Sequence, residues 1–142
     1  MSTMIDKKYD SILCVRLYHG EDFLQQLRQL AQEYELKNAI LINGVGMLKD
    51  AKIGYFHNGT YQTKTIDEPV ELISTNGNMY LNPAGKQEWH VHVALGEKSH
   101  AVEGGHLMGG TVWNTAELFL KILPDATFVR ENEEGNLRLN FK

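Results

Sequence analysis

The chain has 142 residues, 14 Lys and Arg against 18 Asp and Glu, 42% hydrophobic and 23% charged residues. That length favours one domain over residues 1–142, large enough to hold a core without disulfides, and the composition excludes disordered and fibrous classes. A formal charge of −4 argues against a surface built throughout to grip phosphate backbones and leaves only a local basic patch for such a role.

Residues 1–10 are polar and lack the apolar stretch of a signal peptide, and residues 1–7 read as a flexible start. Nowhere does the chain approach the length of apolar sequence that spans a bilayer, so a cytoplasmic protein without membrane association is expected. A first strand over 11–18 holds the only cysteine, Cys14, between Ile12, Leu13 and Val15. A lone cysteine excludes an internal disulfide framework and here reads as a small core residue.

Residues 21–36 show the one convincing helical period. Phe23, Leu24, Leu27, Leu30, Ala31 and Tyr34 form an apolar stripe, with Glu21 and Asp22 in the first turn. Strands follow over 38–43, 51–57 and 60–66, the last two joined by Asn58-Gly59, a strong hairpin signal because both turn positions need positive φ. Residues 70–74 and 78–81 flank Asn76-Gly77, a second turn candidate. Residues 88–95 and 100–106 are joined by Gly96-Glu97-Lys98-Ser99. A short run over 117–123 reads as strand and stops at Pro124, and strands over 127–130 and 137–141 close around an acidic turn. The pattern predicts an α+β class: an antiparallel-rich sheet packed with one main amphipathic helix, residues 21–36. Of 13 glycines, 11 fall between Gly44 and Gly110.

The chemistry concentrates in Glu88-Trp89-His90-Val91-His92 and Glu103-Gly104-Gly105-His106. On a strand, residues i and i+2 share a face, about 7 Å apart, so His90 and His92 project together while Val91 and Val93 enter the apolar layer. His106 is the third candidate ligand. A two-residue turn at Glu97-Lys98 would set residue i opposite 195 − i and aim His106 the wrong way. A bulge at Gly104-Gly105 would restore the face and bring His106 beside His90. Three histidines with an open fourth position suit zinc or another divalent transition metal. Glu88, with Glu71 and Glu103 behind it, is the candidate supporting carboxylate or general base, whereas His19, His57 and His100 read as surface or hydrogen-bonded residues. No metalloprotease helix, phosphate-binding loop or nucleophile elbow is present in the sequence.

Gly44-Val45-Gly46-Met47, Glu68-Pro69-Val70-Glu71-Leu72-Ile73-Ser74 with Asn76-Gly77-Asn78, His90-Val91-His92-Val93-Ala94-Leu95 and Glu103-Gly104-Gly105-His106-Leu107 together resemble the PPC domain, over about residues 8–142. The resemblance implies an antiparallel sheet with a few helices, a homotrimer, and His90, His92 and His106 at the metal-ligand positions of histidine-bearing prokaryotic members. The family is commonly labelled DNA-binding. In its plant members an Arg-Gly-Arg-Pro hook enters the minor groove, and this chain has no such core. Three readings follow. In order, they are a trimeric metal-binding protein whose site binds a small-molecule ligand or holds the subunits together, a DNA-binding or regulatory protein, and a metal-dependent enzyme acting on a small molecule.

Overall fold

The structure, a computed structural model, describes residues 4–142. In chain order the elements are β1 (Ile5–Tyr9), β2 (Ile12–Tyr18), α1 (Phe23–Glu33), β3 (Ala39–His57), β4 (Thr60–Ile66), β5 (Val70–Leu81), β6 (Gln87–Gly96), β7 (Val102–Lys121), β8 (Phe128–Glu133) and β9 (Asn136–Phe141). Residues 1–3 of the expected flexible start lie outside the described residues; residues 5–7 belong to β1, which pairs with β2.

Strand takes 67% of the structure and helix 8%, with nine strands in a single mixed sheet. This corrects the expected α+β class with a main helix over 21–36. The helix has 11 residues, shortened by local chemistry at both ends. Asp22 stays extended as its N-cap, its carboxylate accepting the Gln25 N–H at 2.9 Å, which leaves Glu21 outside. At the other end Glu35 turns left-handed at φ 51° and stops the helix.

Three strands run longer than their sequence segments. β3 has 19 residues, β5 has 12 and β7 has 20, each passing through glycines that read as breaks. Asn76-Gly77 is no turn: Asn76 pairs with His92 and Gly77 with Val91 in mid-strand. A Cβ on Gly77 would lie 2.0 Å from the His90 carbonyl oxygen, and its φ of +159° is one that side chains avoid. Here glycine marks a close approach of two backbones rather than a reversal. The Asn58-Gly59 hairpin joins β3 to β4, with both residues at positive φ.

Strands β3 and β6 each pair with both β5 and β7, so these four strands close into a ring. β1 and β2 extend it beside β7, and β8 with β9 attach through one parallel pair, Leu81 with Val129. Inside, Leu13, Leu17, Phe23, Leu27, Leu30, Leu41, Leu95 and Leu118 are fully buried, each such side chain contributing about 1.5–3 kcal/mol.

The helix fixes which way β6 faces. Trp89 Nε1 donates to the Leu27 carbonyl at 2.9 Å, and Gln87 Nε2 donates to the carbonyls of Ala31 and Leu36 at 2.7 and 2.9 Å. With Trp89, Val91, Val93 and Leu95 buried, the intervening His90 and His92 turn outward. Among the described residues no helix is long and apolar enough to cross a membrane.

Candidate metal centre

β6 and β7 pair with His92 opposite His106 and Gly96 opposite Val102. The connection is longer than the two-residue turn considered from sequence. Glu97 N–H donates to the Ala101 carbonyl at 2.8 Å, His100 N–H to the Glu97 carbonyl at 2.8 Å, and His100 itself sits left-handed at φ 72°. The longer turn sets the parity that the expected bulge at Gly104-Gly105 was required to supply. That bulge is absent, and His106 lies directly across from His92 rather than His90. The two glycines instead let three backbones pack: a Cβ on Gly104 would sit 2.6 Å from the Val93 oxygen, and one on Gly105 2.8 Å from the Gly54 oxygen.

His90, His92 and His106 thus share one face. Their ring centroids are 4.8 Å apart for His90 and His106, 5.0 Å for His90 and His92, and 5.8 Å for His92 and His106. Nε2 of His90 lies 3.2 Å from Nε2 of His92, close to the roughly 3.3 Å between two nitrogens that bind one zinc tetrahedrally at 2.0–2.1 Å. One nitrogen from each ring falls in a set whose members lie within 4.8 Å of one another. Such a set has a common point within about 2.8 Å of every member, and small ring rotations close that to a zinc–nitrogen bond. His106 Nδ1 is buried without a hydrogen-bond partner, an orphan that the rest of the protein leaves unsatisfied. The donor set fits a divalent transition metal.

Neighbouring residues hold the rings. Gly54, paired with His106 across β3 and β7, leaves space where the Tyr61 ring stacks on His106 at 4.7 Å. A Cβ on Gly54 would meet Tyr61 Cδ1 at 2.9 Å.

Burial, reinforced by the Arg130 guanidinium and by the other two imidazoles, lowers the His90 pKa to about 4. Burial, His92 and Arg130 lower that of His106. Both rings are therefore neutral at pH 7, with lone pairs free to bind a cation. In the metal-free protein the unfolded chain takes up these protons near pH 6.5 and the folded chain takes up that of His90 only near 4. Stability is retained above pH 6.5 and declines as pH falls toward 4. The expected loss from His90 is about 1 kcal/mol, allowing for the solvent that reaches a half-buried ring. Urea midpoints of metal-free protein measured from pH 7 to 4 check it; a flat profile would contradict the neutral-imidazole assignment.

The cluster opens into a groove of 920 Å³ lined also by Tyr55, Phe56, Tyr80, Trp89, Arg130 and Arg138. Sequence reasoning passed over Arg130. It comes from β8, its carbon Cζ lies 4.7 Å from the Tyr80 ring centre, and its Nη2 donates to Asn78 Oδ1 at 3.3 Å. Asn78 is the cross-strand partner of His90. A sequence signal existed for β5, where Asn76, Asn78 and Tyr80 alternate on one face, but nothing local linked Arg130 to it.

The candidate carboxylates lie elsewhere. Glu88 pairs with Arg28 at 3.2 Å, Glu103 bonds Lys64, and Glu71 sits at the far end of β5 opposite Gly96. None lines the groove. His19 accepts the Asn114 N–H at 2.8 Å against the Trp113 ring, His57 contacts Asn58, and His100 occupies the turn.

Comparison with known proteins places this geometry. The family model of the Plants and Prokaryotes Conserved (PCC) domain matches residues 4–124. A plant- and prokaryote-conserved protein from Pyrococcus horikoshii superposes with a TM-score of 0.84 at 32% identity, over 98% of this chain and 94% of that one. A metal-containing protein from Archaeoglobus fulgidus gives 0.80 at 28%, over 95% and 94%. A provisionally named DNA-binding protein from Ralstonia eutropha gives 0.86 at 25%, over 95% and 94%. Among curated sequences, the bifunctional protein GlmU of a Synechococcus species is 29% identical over 132 residues, which are 90% of this chain and 20% of that protein. The chain spans about a fifth of the length of that relative.

Proposed function

The chain belongs to the Plants and Prokaryotes Conserved domain family, and from that premise we propose that it is a single-domain, homotrimeric metal-binding protein. His90, His92 and His106 would hold zinc or another divalent transition metal and leave a position open to a small-molecule ligand. The carrying observation is the convergence of three imidazole nitrogens, one from each histidine, all within 4.8 Å of one another. The metal-containing name of the Archaeoglobus fulgidus relative supports the same reading. Imidazoles alone suit zinc, nickel, copper and iron. Such a centre, when filled, can bind an oxygen ligand or lower the pKa of a bound water. Among the described residues the groove holds no carboxylate to act as a base, which favours binding over turnover.

Trimer formation is supported by exposed apolar side chains outside the groove. Ile42, Val45, Ile73 and Phe119 are each about half exposed on β3, β5 and β7, apolar side chains that a subunit interface would cover. A single cysteine fits a reducing compartment, the cytoplasm.

The second reading, DNA association, draws on the name of the Ralstonia eutropha relative. The net charge of −4 weighs against it. Elemental analysis of purified protein, combined with light scattering, tests the proposal. About one transition-metal ion per chain and a mass near 48 kDa, three times 16.1 kDa, are expected. A metal-free preparation that resists zinc loading overturns the metal assignment. Salt-dependent binding to a DNA duplex by protein lacking metal would favour the second reading.

A further inference from the structure

We infer that the groove beside the three histidines is a receptor for a small organic anion, a carboxylate or phosphate on a planar apolar body, with Arg130 as its charge partner. The inference rests on the metal reading and names the ligand class of the same site.

Arg130 carries the argument. Its Nε is buried and has no hydrogen-bond partner, and its contact to Asn78 is long, at 3.3 Å. Among the described residues no carboxylate pairs with it, although the chain has 18 Asp and Glu to 14 Lys and Arg. The buried Nε is closed to a ligand, but the guanidinium lines the groove as a cation with no ion-pair partner, a charge that an anion entering the groove can match. Arg130 is held in place: the Tyr80 ring lies beneath it, and Asn78 ties it to the strand position opposite His90. The planar fork is thus presented in the same groove as the histidine cluster, where a bidentate oxyanion is its natural complement.

Groove composition points the same way. Three histidines and two arginines line it with no Asp or Glu, so its sign is opposite to that of the chain as a whole. Arg138 at the rim has only a 3.9 Å contact to an exposed Glu134 and adds long-range attraction for an anion. Tyr55, Phe56, Tyr61 and Trp89 supply flat apolar walls, which a ligand with a planar body fills better than a bare inorganic ion. Such an anion would lie in the groove between the histidine cluster and Arg130.

The test uses the zinc-loaded, full-length protein. Phenyl phosphate and benzoate are titrated calorimetrically, with benzamide as the uncharged match and benzylamine as the cation, and zinc content is measured on every sample. At least one of the two anions is expected to bind tenfold or more tighter than benzamide, with the preferred anion distinguishing phosphate from carboxylate recognition. Arg130→Gln should weaken it at least tenfold at unchanged zinc content and unchanged thermal midpoint, and Arg130→Lys should recover part of the loss. Anion affinity no better than that of benzamide in a zinc-bearing sample overturns the inference and leaves the metal reading standing. So does full anion affinity in a zinc-bearing Arg130→Gln or Arg130→Lys protein if neither variant weakens it. A protein that takes up no zinc overturns the metal reading and this inference with it.

Discussion

Replacement of His92 by alanine is expected to empty the metal centre while leaving the fold intact. His92 is exposed, projects from the outward face of β6, and makes its ring contacts only with His90 and His106. Truncating such a side chain changes stability by no more than about 0.5 kcal/mol. Its loss removes one of three protein ligands, and since even outer-shell partners cost 10–100-fold in metal affinity, a drop of more than about 100-fold is expected. Metal content should fall from about one ion per chain to near none, with an unchanged circular dichroism spectrum. His57→Ala, which alters a histidine outside the cluster, should keep its metal. Retention of a full complement of zinc by His92→Ala would remove this residue from the ligand set.

Gly77→Ala should do the reverse, damaging the fold first and the centre as a consequence. The added methyl would stand 2.0 Å from the His90 carbonyl oxygen and 2.9 Å from Val91 Cα, both backbone atoms that cannot swing aside. The backbone at φ +159° is also one that alanine rarely adopts. Overpacking alone costs about 1–3 kcal/mol, and backbone strain adds about 1 kcal/mol or more. We expect a loss of about 3 kcal/mol or more in urea denaturation, with β6 pushed away from β5 at the residue that carries the first histidine. Gly59→Ala, in an open hairpin where a Cβ would meet nothing within 4 Å, separates crowding from backbone strain: its φ is also positive, at +81°, so its loss should be smaller.

The histidine cluster was legible because strand alternation is a short-range rule. His90 and His92 are two residues apart, and the buried Trp89, Val91 and Val93 fix the face on which they project. His106 was legible as a candidate, but its register was not. Parity depends on the number of residues in the turn, and the five-residue connection with a left-handed His100 has no compositional mark beyond Gly96. The strand boundaries failed for a related reason. Gly44, Gly46 and Gly77 look like breaks in one dimension, yet each sits where a neighbouring strand comes too close for a side chain. β1 was missed because Asp6, Lys7 and Lys8 give an edge strand without an apolar face. The fold class is not legible because a single amphipathic stripe reads as a full layer, whereas α1 is an 11-residue cover over a long-stranded sheet. Arg130 was invisible for the deepest reason. Its position depends on contacts distant in sequence, the parallel pair of Leu81 with Val129 across 48 positions and the Phe128 N–H donating to the Lys37 carbonyl, which leave no periodic trace.

The closed ring of β3, β5, β6 and β7 has a kinetic consequence for whatever the histidines hold. From His92 to Gly96, β6 has a hydrogen-bonded neighbour on each side, so fraying at β1 or β9 is expected to stop short of these residues. A metal held by the three histidines would therefore be expected to exchange through the mouth of the groove, past Tyr61 and Arg130.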